Sequence, residues 1–104
     1  MKDYSAMSDE DINKLVAGHI SFADKVMVGT GQIDYCNNPA DAWPIIMDNN
    51  IAVIPYRHTL PCAWPTAFGM ASKFTTEDKN PLRAAMVTFL MMKDRESSHA
   101  KTSV

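Results

Sequence analysis

The sequence predicts a small α+β domain, in which an antiparallel or mixed sheet of three to five strands packs against three helices. Two segments begin with the same dipeptide, Asn38-Pro39 and Asn80-Pro81. Asn at a helix start accepts a hydrogen bond from an unpaired backbone N–H, and Pro at the next position removes a donor that has no partner. A β-branched run between them, residues 51–54, indicates a strand. We expect the last helix to lie on the sheet.

Length and composition limit the class of protein. The 104 residues predict one domain over residues 1–93, followed by a disordered tail over residues 94–104, where apolar side chains are scarce. A net charge of −2 argues against direct nucleic-acid binding through a broad basic face. No apolar run approaches the ~18 residues that span a membrane, so we expect a protein of the cytoplasm. The two cysteines, Cys36 and Cys62, have no metal-ligand spacing and predict buried free thiols.

The N-terminal part predicts one helix and one hairpin. Ser8 and Asp11 resemble a capping box with Asp in place of Glu, so a helix begins there, and Gly18 is its predicted end. Two short segments, residues 26–28 and 32–35, flank a Gly-Thr-Gly turn and predict a β-hairpin.

The middle of the chain predicts a helix, a strand and a loop. A second helix should run from Asn38 to about Asn49, with its apolar side chains turned inward: Ala42, Ile45, Ile46 and Trp43. Pro44 should kink this helix or separate its first turn. Residues 51–54 are expected to form a central strand. Residues 56–65 should form a structured loop before a further strand within residues 66–74.

The last helix is predicted from Pro81 to about Lys93 and is apolar on nearly every side. Such a helix is buried, so it either crosses the sheet beneath another element or gives its second face to a partner chain. We therefore hypothesise a homodimer through the helix from Pro81 to Lys93.

The segments at residues 34–46 and 80–92, with the N-terminal segment at residues 4–16, resemble the NinX family of small tailed-phage proteins. The matching motifs cover about half of the chain, and residues 21–33 and 56–76 match less clearly. The resemblance implies an accessory gene of a phage or prophage that is expressed in the bacterial host cytoplasm. It implies no catalytic residues, because the matching positions start helices and fill a core.

No motif for phosphate binding, metal hydrolysis or serine chemistry is present, and we predict no enzyme, no metal and no cofactor. The three histidines, His19, His58 and His99, are widely separated and are interpreted as structural or solvated. Cys36 precedes a helix start, which favours a thiolate, but a small buried side chain explains it equally well, and we assign it no catalytic role.

The best candidate site is the proline-stiffened segment at residues 56–65, which carries Tyr56, Arg57, His58 and Trp64. An aromatic side chain there could stack on a flat ring while Arg57 pairs with a phosphate or carboxylate. The competing interpretation, which we favour, packs Trp64 over the core and leaves Arg57 solvated. Trp43 and Asn37 complete the candidate set, Asn37 because it lies at a helix N-terminus without an assigned structural role.

These observations and the resemblance favour a non-enzymatic phage accessory protein. The leading hypothesis is a counter-defence protein that binds and sequesters a small nucleotide-like ligand or signal made by the host. The alternative is a protein–protein interaction module that inhibits or redirects a host enzyme, through the second face of the Met-rich last helix or a sheet edge.

Overall fold

A computed structural model describes residues 3–55 and 59–102. For residues 97–102 it describes the backbone alone. In the described part of the chain a three-stranded antiparallel sheet of order β1-β2-β3 packs against the last of four α-helices, which confirms the predicted α+β class. The elements are a 3₁₀ turn at Tyr4–Ala6, α1 Asp9–Ile20, α2 Phe22–Gly29, α3 Pro39–Asp48, β1 Ile51–Ile54, β2 Cys62–Pro65, β3 Thr76–Glu77 and α4 Pro81–Thr102.

The predicted helix starts are confirmed by their capping contacts. Ser8 accepts a hydrogen bond from the Asp11 N–H, and Asn38 accepts one from the Ala40 N–H. Asn80 accepts from the N–H groups of Leu82 and Arg83 at 2.9 and 3.3 Å. Each cap satisfies donors that the first helical turn leaves unpaired. The end of α1 lies at Ile20 rather than at Gly18.

The predicted hairpin after α1 is wrong, because residues 22–29 form the helix α2. Ser21 caps this helix by accepting from the Asp24 N–H. The Gly-Thr-Gly segment ends it: Gly31 has a φ of +82°, and the Gly31 and Gln32 N–H groups donate to Val28 and Met27 carbonyls. This pairing is the Schellman motif, in which a glycine in the left-handed region satisfies the last helical carbonyls. Glycine therefore closes a helix here instead of turning a hairpin.

The middle helix runs through Pro44 from Pro39 to Asp48, so its first turn is not a separate unit. Pro44 lies on the exposed side of α3, where the Ala40 carbonyl that loses its helical donor can bond to water. Ala42, Ile45 and Ile46 are buried as predicted. Trp43 is not, since 57% of its surface is exposed.

The sheet contains the predicted strand β1, but β1 is an edge strand and not the central one. The central strand is β2, within the segment that was predicted to be a loop. No strand forms in the described residues 66–74, which form turns, and β3 comes just after them at Thr76–Glu77.

The helix α4 is enclosed by its own chain. Every residue from Arg83 to Leu90 is buried, and α4 contacts α1, α3 and all three strands. The sheet, α1 and α3 therefore cover the residues of α4 that were expected to need a partner, and the argument for a homodimer through the helix from Pro81 to Lys93 loses its basis. The helix also continues to Thr102, past its predicted end near Lys93, whereas the division into a domain and a tail from residue 94 stays a prediction.

One buried hydroxyl ties α4 to the sheet. The Thr88 hydroxyl lies 3.2 Å from the carbonyl oxygens of Ala63 and Phe74 and 3.1 Å from the Thr76 hydroxyl. The side chain is completely buried, so these contacts satisfy a polar group that would otherwise destabilise the core.

Candidate functional site

The two Asn-Pro segments meet in space. The Asn80 side-chain amide donates to the Cys36 carbonyl at 2.5 Å and to the Asn37 side-chain oxygen at 3.1 Å. Asn80 thus caps α4 with its oxygen and holds the segment before α3 with its nitrogen. One side chain therefore connects the starts of two helices that are far apart in the sequence. We call the cluster around Cys36, Asn37 and Asn80 the junction.

Asn37 belongs to this junction. Its amide donates to Asp9 at 3.2 Å and to Asp34 at 3.0 Å, while its oxygen accepts from Asn80. Asp41 does not cap α3, but instead accepts from the Asp34 N–H at 2.9 Å. Asn37 therefore has the structural role that could not be assigned from the sequence, and its side chain is already occupied by protein partners.

Arg83 adds the N-terminal segment to the junction. Its guanidinium donates to Asp9 at 2.6 Å, to Asp78 at 3.1 Å, and to the carbonyls of Tyr4 and Met7 at 3.0 and 2.5 Å. Arg83 is only 8% exposed. Burial lowers the pKa of the guanidinium, but the hydrogen bond to Asp9 and the negative charges of Asp78 and Asp9 raise it above its usual value. Arg83 is therefore a fixed structural cation.

Cys36 lies in the same junction and is unsuited to nucleophilic chemistry. Burial, followed by the negative charge of Asp9, raises the pKa of its thiol to about 12. A thiol with this pKa is protonated at neutral pH and is a poor nucleophile. Both Cys36 and Cys62 are buried and unpaired, as predicted.

An open pocket of about 410 Å³ lies beside the junction, between α1 and the turn that follows α2. Its polar lining is acidic or neutral and includes Asp9, Glu10, Asn13 and Asp34. Negative side chains repel phosphate at short range, so this pocket is unsuited to the nucleotide-like ligand expected from the sequence.

The candidate residues at 56–65 are divided by the structure. Tyr56, Arg57 and His58 lie outside the described residues. Trp64 is half-buried in β2, opposite Ala52 of β1. Alternation along the strands places it on the face that carries Cys62 and Ile54, whereas Ile51, Val53 and Ala63 point to the main core. Trp64 therefore does not belong to the core that α4 fills.

The outer side of α3 is an exposed apolar surface. Four exposed apolar residues, which we call the α3 stripe, follow one another at helical spacing: Ala40, Trp43, Pro44 and Met47. Trp43 and Met47 are 57% and 60% exposed. This spacing is present in the sequence, but the buried residues Ala42, Ile45 and Ile46 have the same helical periodicity. The sequence alone therefore did not show which side of α3 is exposed.

The α3 stripe lies in an acidic part of the chain. Between Lys25 and Arg57 the sequence has no Lys or Arg, while it has three aspartates, Asp34, Asp41 and Asp48. Asp48 is exposed on α3 itself. The segment that carries the stripe is therefore negatively charged.

The described residues contain no group of His, Cys, Asp and Glu side chains that could hold a metal ion. His19 packs edge-on against Phe89, with ring centroids 5.8 Å apart, which is a structural contact. His58 is outside the described residues, and the side chain of His99 is not described. None of the described helices is long and apolar enough to cross a membrane.

Comparison with known proteins identifies a family. A family model described as Bacteriophage P22, NinX matches residues 3–93. Neither the curated proteins nor the solved structures contain a match to the chain. The matched range includes the junction, the α3 stripe and the part of α4 that covers the sheet.

Proposed function

The chain belongs to the NinX family of phage proteins, and from this premise we propose that it is a non-enzymatic accessory protein that binds a host protein through the α3 stripe. Its setting would be the bacterial cytoplasm, and its effect the inhibition or redirection of a host enzyme in counter-defence. The observation that carries the proposal is the exposure of Trp43 and Met47 on adjacent turns of one helix.

The small size of the domain makes this exposure informative. A chain of 104 residues has few large apolar side chains to spare from its core. Tryptophan is enriched at the energetic centres of protein interfaces, and methionine is enriched in interfaces relative to the rest of the surface. Ala40 and Pro44 keep the surface between them free of long polar side chains, as an apolar groove on a partner requires.

The charges around the stripe define the partner further. Because Asp48 is exposed on α3 and no Lys or Arg occurs between residues 25 and 57, a groove bordered by basic side chains would be complementary. Complementary charges accelerate association and disfavour partners with acidic surfaces. We therefore propose a partner with an apolar groove and a basic rim.

The experiment compares capture from host lysate by equal amounts of wild type, Trp43→Ser and Phe22→Ser. Phe22 is 80% exposed on α2, so its variant controls for the loss of any exposed aromatic side chain. We expect one stoichiometric host protein to be retained by wild type and Phe22→Ser, released by moderate salt and lost at least tenfold with Trp43→Ser. Equal capture by the two variants contradicts the proposal.

A phage plating assay tests the counter-defence setting separately. Expression of wild type and of Phe22→Ser should raise plating on a host that carries the targeted defence, while Trp43→Ser should not. Capture that depends on Trp43 without any effect on plating would support the binding function and reject counter-defence.

A further inference from the structure

A second surface combines aromatic rings with cations. The rings of Phe68 and Phe74 lie 5.4 Å apart. The guanidinium of Arg95 lies 5.1 Å from the centroid of Phe68, and the ammonium of Lys73 lies 5.5 Å from that of Phe74. We call these four residues the basic–aromatic patch.

The two cations of this patch are free to attract an anion. In residues 3–55 and 59–96, neither Lys73 nor Arg95 forms a salt bridge, whereas the neighbouring Lys93 pairs with Glu96. Both side chains are exposed. Phe68 is 46% exposed, so part of its ring is open to a further planar group.

We propose that the basic–aromatic patch binds a small ligand that combines a flat heterocycle with a phosphate, such as a nucleoside monophosphate. The heterocycle stacks on the exposed part of Phe68 beside the Arg95 guanidinium, as bases do on aromatic and arginine planes. The phosphate pairs with Arg95, which presents several N–H donors in a planar array. Lys73 adds a second positive charge to the same surface.

This site differs from both candidate sites already considered. It is cationic, unlike the pocket lined by Asp9 and Asp34, and it uses none of the α3 stripe. Its success or failure is therefore independent of the proposed protein-binding function.

The experiment is an NMR titration of the ¹⁵N-labelled protein with AMP, adenosine and inorganic phosphate in separate series. We expect saturable shifts of the amide signals of residues 66–75 and 95 with AMP. Adenosine and phosphate, each of which supplies half of the recognised chemistry, should bind at least tenfold more weakly. Phosphate binding as strong as that of AMP would overturn the stacking role of Phe68.

Three variants separate the contributions. Arg95→Glu should abolish AMP binding, and Phe68→Leu, which keeps an apolar side chain against Phe74, should weaken it at least fivefold. Lys25→Glu makes the same charge change as Arg95→Glu at an exposed position of α2 and should alter binding less than twofold. Equal losses with Lys25→Glu and Arg95→Glu would reduce the effect to net charge and overturn the site.

A fourth series uses the single-stranded oligonucleotide dT12. We expect dT12 to bind no more than a few-fold more tightly than AMP, because Phe68 and Arg95 together accommodate one nucleotide. Binding of dT12 that is a hundredfold tighter, with shifts extending beyond the patch, would identify a nucleic-acid surface instead. The absence of saturable shifts with AMP overturns the proposal directly.

Discussion

Replacing Arg83 by Met should destabilise the protein more than any change to its exposed ion pairs. Methionine preserves much of the apolar volume of the arginine stem but removes all four hydrogen bonds to Asp9, Asp78 and two backbone carbonyls. The N-terminal segment, α1 and the loop before α4 are then no longer joined at this point.

The size of the effect follows from what each partner loses. Asp9 is 44% exposed and Asp78 25% exposed, so water partly replaces the guanidinium, and we assign each carboxylate about 0.5 to 1 kcal/mol. The Tyr4 carbonyl still accepts from the Met7 N–H, whereas the Met7 carbonyl loses its guanidinium donor. The loss of the two hydrogen bonds to these carbonyls costs about 2 kcal/mol. The total is about 3 to 4 kcal/mol, within the range for breaking one partner of a buried ion pair.

Urea unfolding followed by tryptophan fluorescence measures this loss. With a slope of about 1.5 kcal/mol per molar urea, the midpoint should fall by roughly 2 M. Arg83→Lys, which keeps the charge but not the planar set of donors, should lose about half as much. Lys14→Met, which breaks the exposed pair with Glu10, should change stability by less than about 0.5 kcal/mol. A loss below 1 kcal/mol for Arg83→Met would refute the role assigned to the junction.

Two further predictions concern the same region. Asn80→Ala removes both a helix cap and two bridging hydrogen bonds, so it should lower the free energy of unfolding by about 2 to 3 kcal/mol. Asn38→Ala, which removes only a cap, should lower it by about 1 kcal/mol. Equal urea midpoints for the two variants would contradict the bridging role of Asn80. The pKa of Cys36 is raised to about 12 by burial, and the pKa values of Tyr4 and Tyr35 are raised by burial and by hydrogen bonds to Asp94 and Asp24. The native state holds these protons more tightly, so their contribution to stability is complete at pH 7. It is lost as pH rises above about 9 for Cys36 and above about 10 for the two tyrosines, by up to ~1.4 kcal/mol per pH unit for each proton. Urea midpoints at pH 7, 9 and 10.5 should fall in that order, with a smaller fall in Cys36→Ser; a constant midpoint would exclude the effect.

The helix starts were predictable because their signals are local. Ser8, Asn38 and Asn80 each satisfy backbone donors within three residues of themselves, and no distant contact is needed to specify them. The apolar character of α4 likewise indicated a helix buried against the sheet. The fold class could therefore be predicted from a few short segments.

The errors arose where one local pattern suits two structures. The Gly-Thr-Gly segment favours a hairpin turn and equally a helix end, and the cap at Ser21 decides for the helix. The strand β2 contains Pro65, which normally argues against a central strand. In this sheet β3 pairs only with Cys62 and Ala63. Pro65 therefore lies beyond the end of β3, and no β3 carbonyl lacks a hydrogen bond because Pro65 has no N–H.

The junction illustrates a different limit. Asn37 and Arg83 have no distinctive local pattern, and their roles depend on partners such as Asp9 that are far away in the sequence. Sequence reasoning named Asn37 as a ligand residue because those partners were unknown. Trp43 was placed inward for a related reason, since α3 has two apolar faces and only the packed structure distinguishes them.

The emission of Trp43 on addition of the captured host partner reports directly on binding at the α3 stripe. Trp64→Phe leaves Trp43 as the only tryptophan, because the chain contains two, and its exposed indole should be quenched readily by acrylamide. We expect a blue shift and protection from acrylamide as the partner saturates. Complex formation that leaves the emission and quenching of Trp43 unchanged would show that the α3 stripe is not the binding surface.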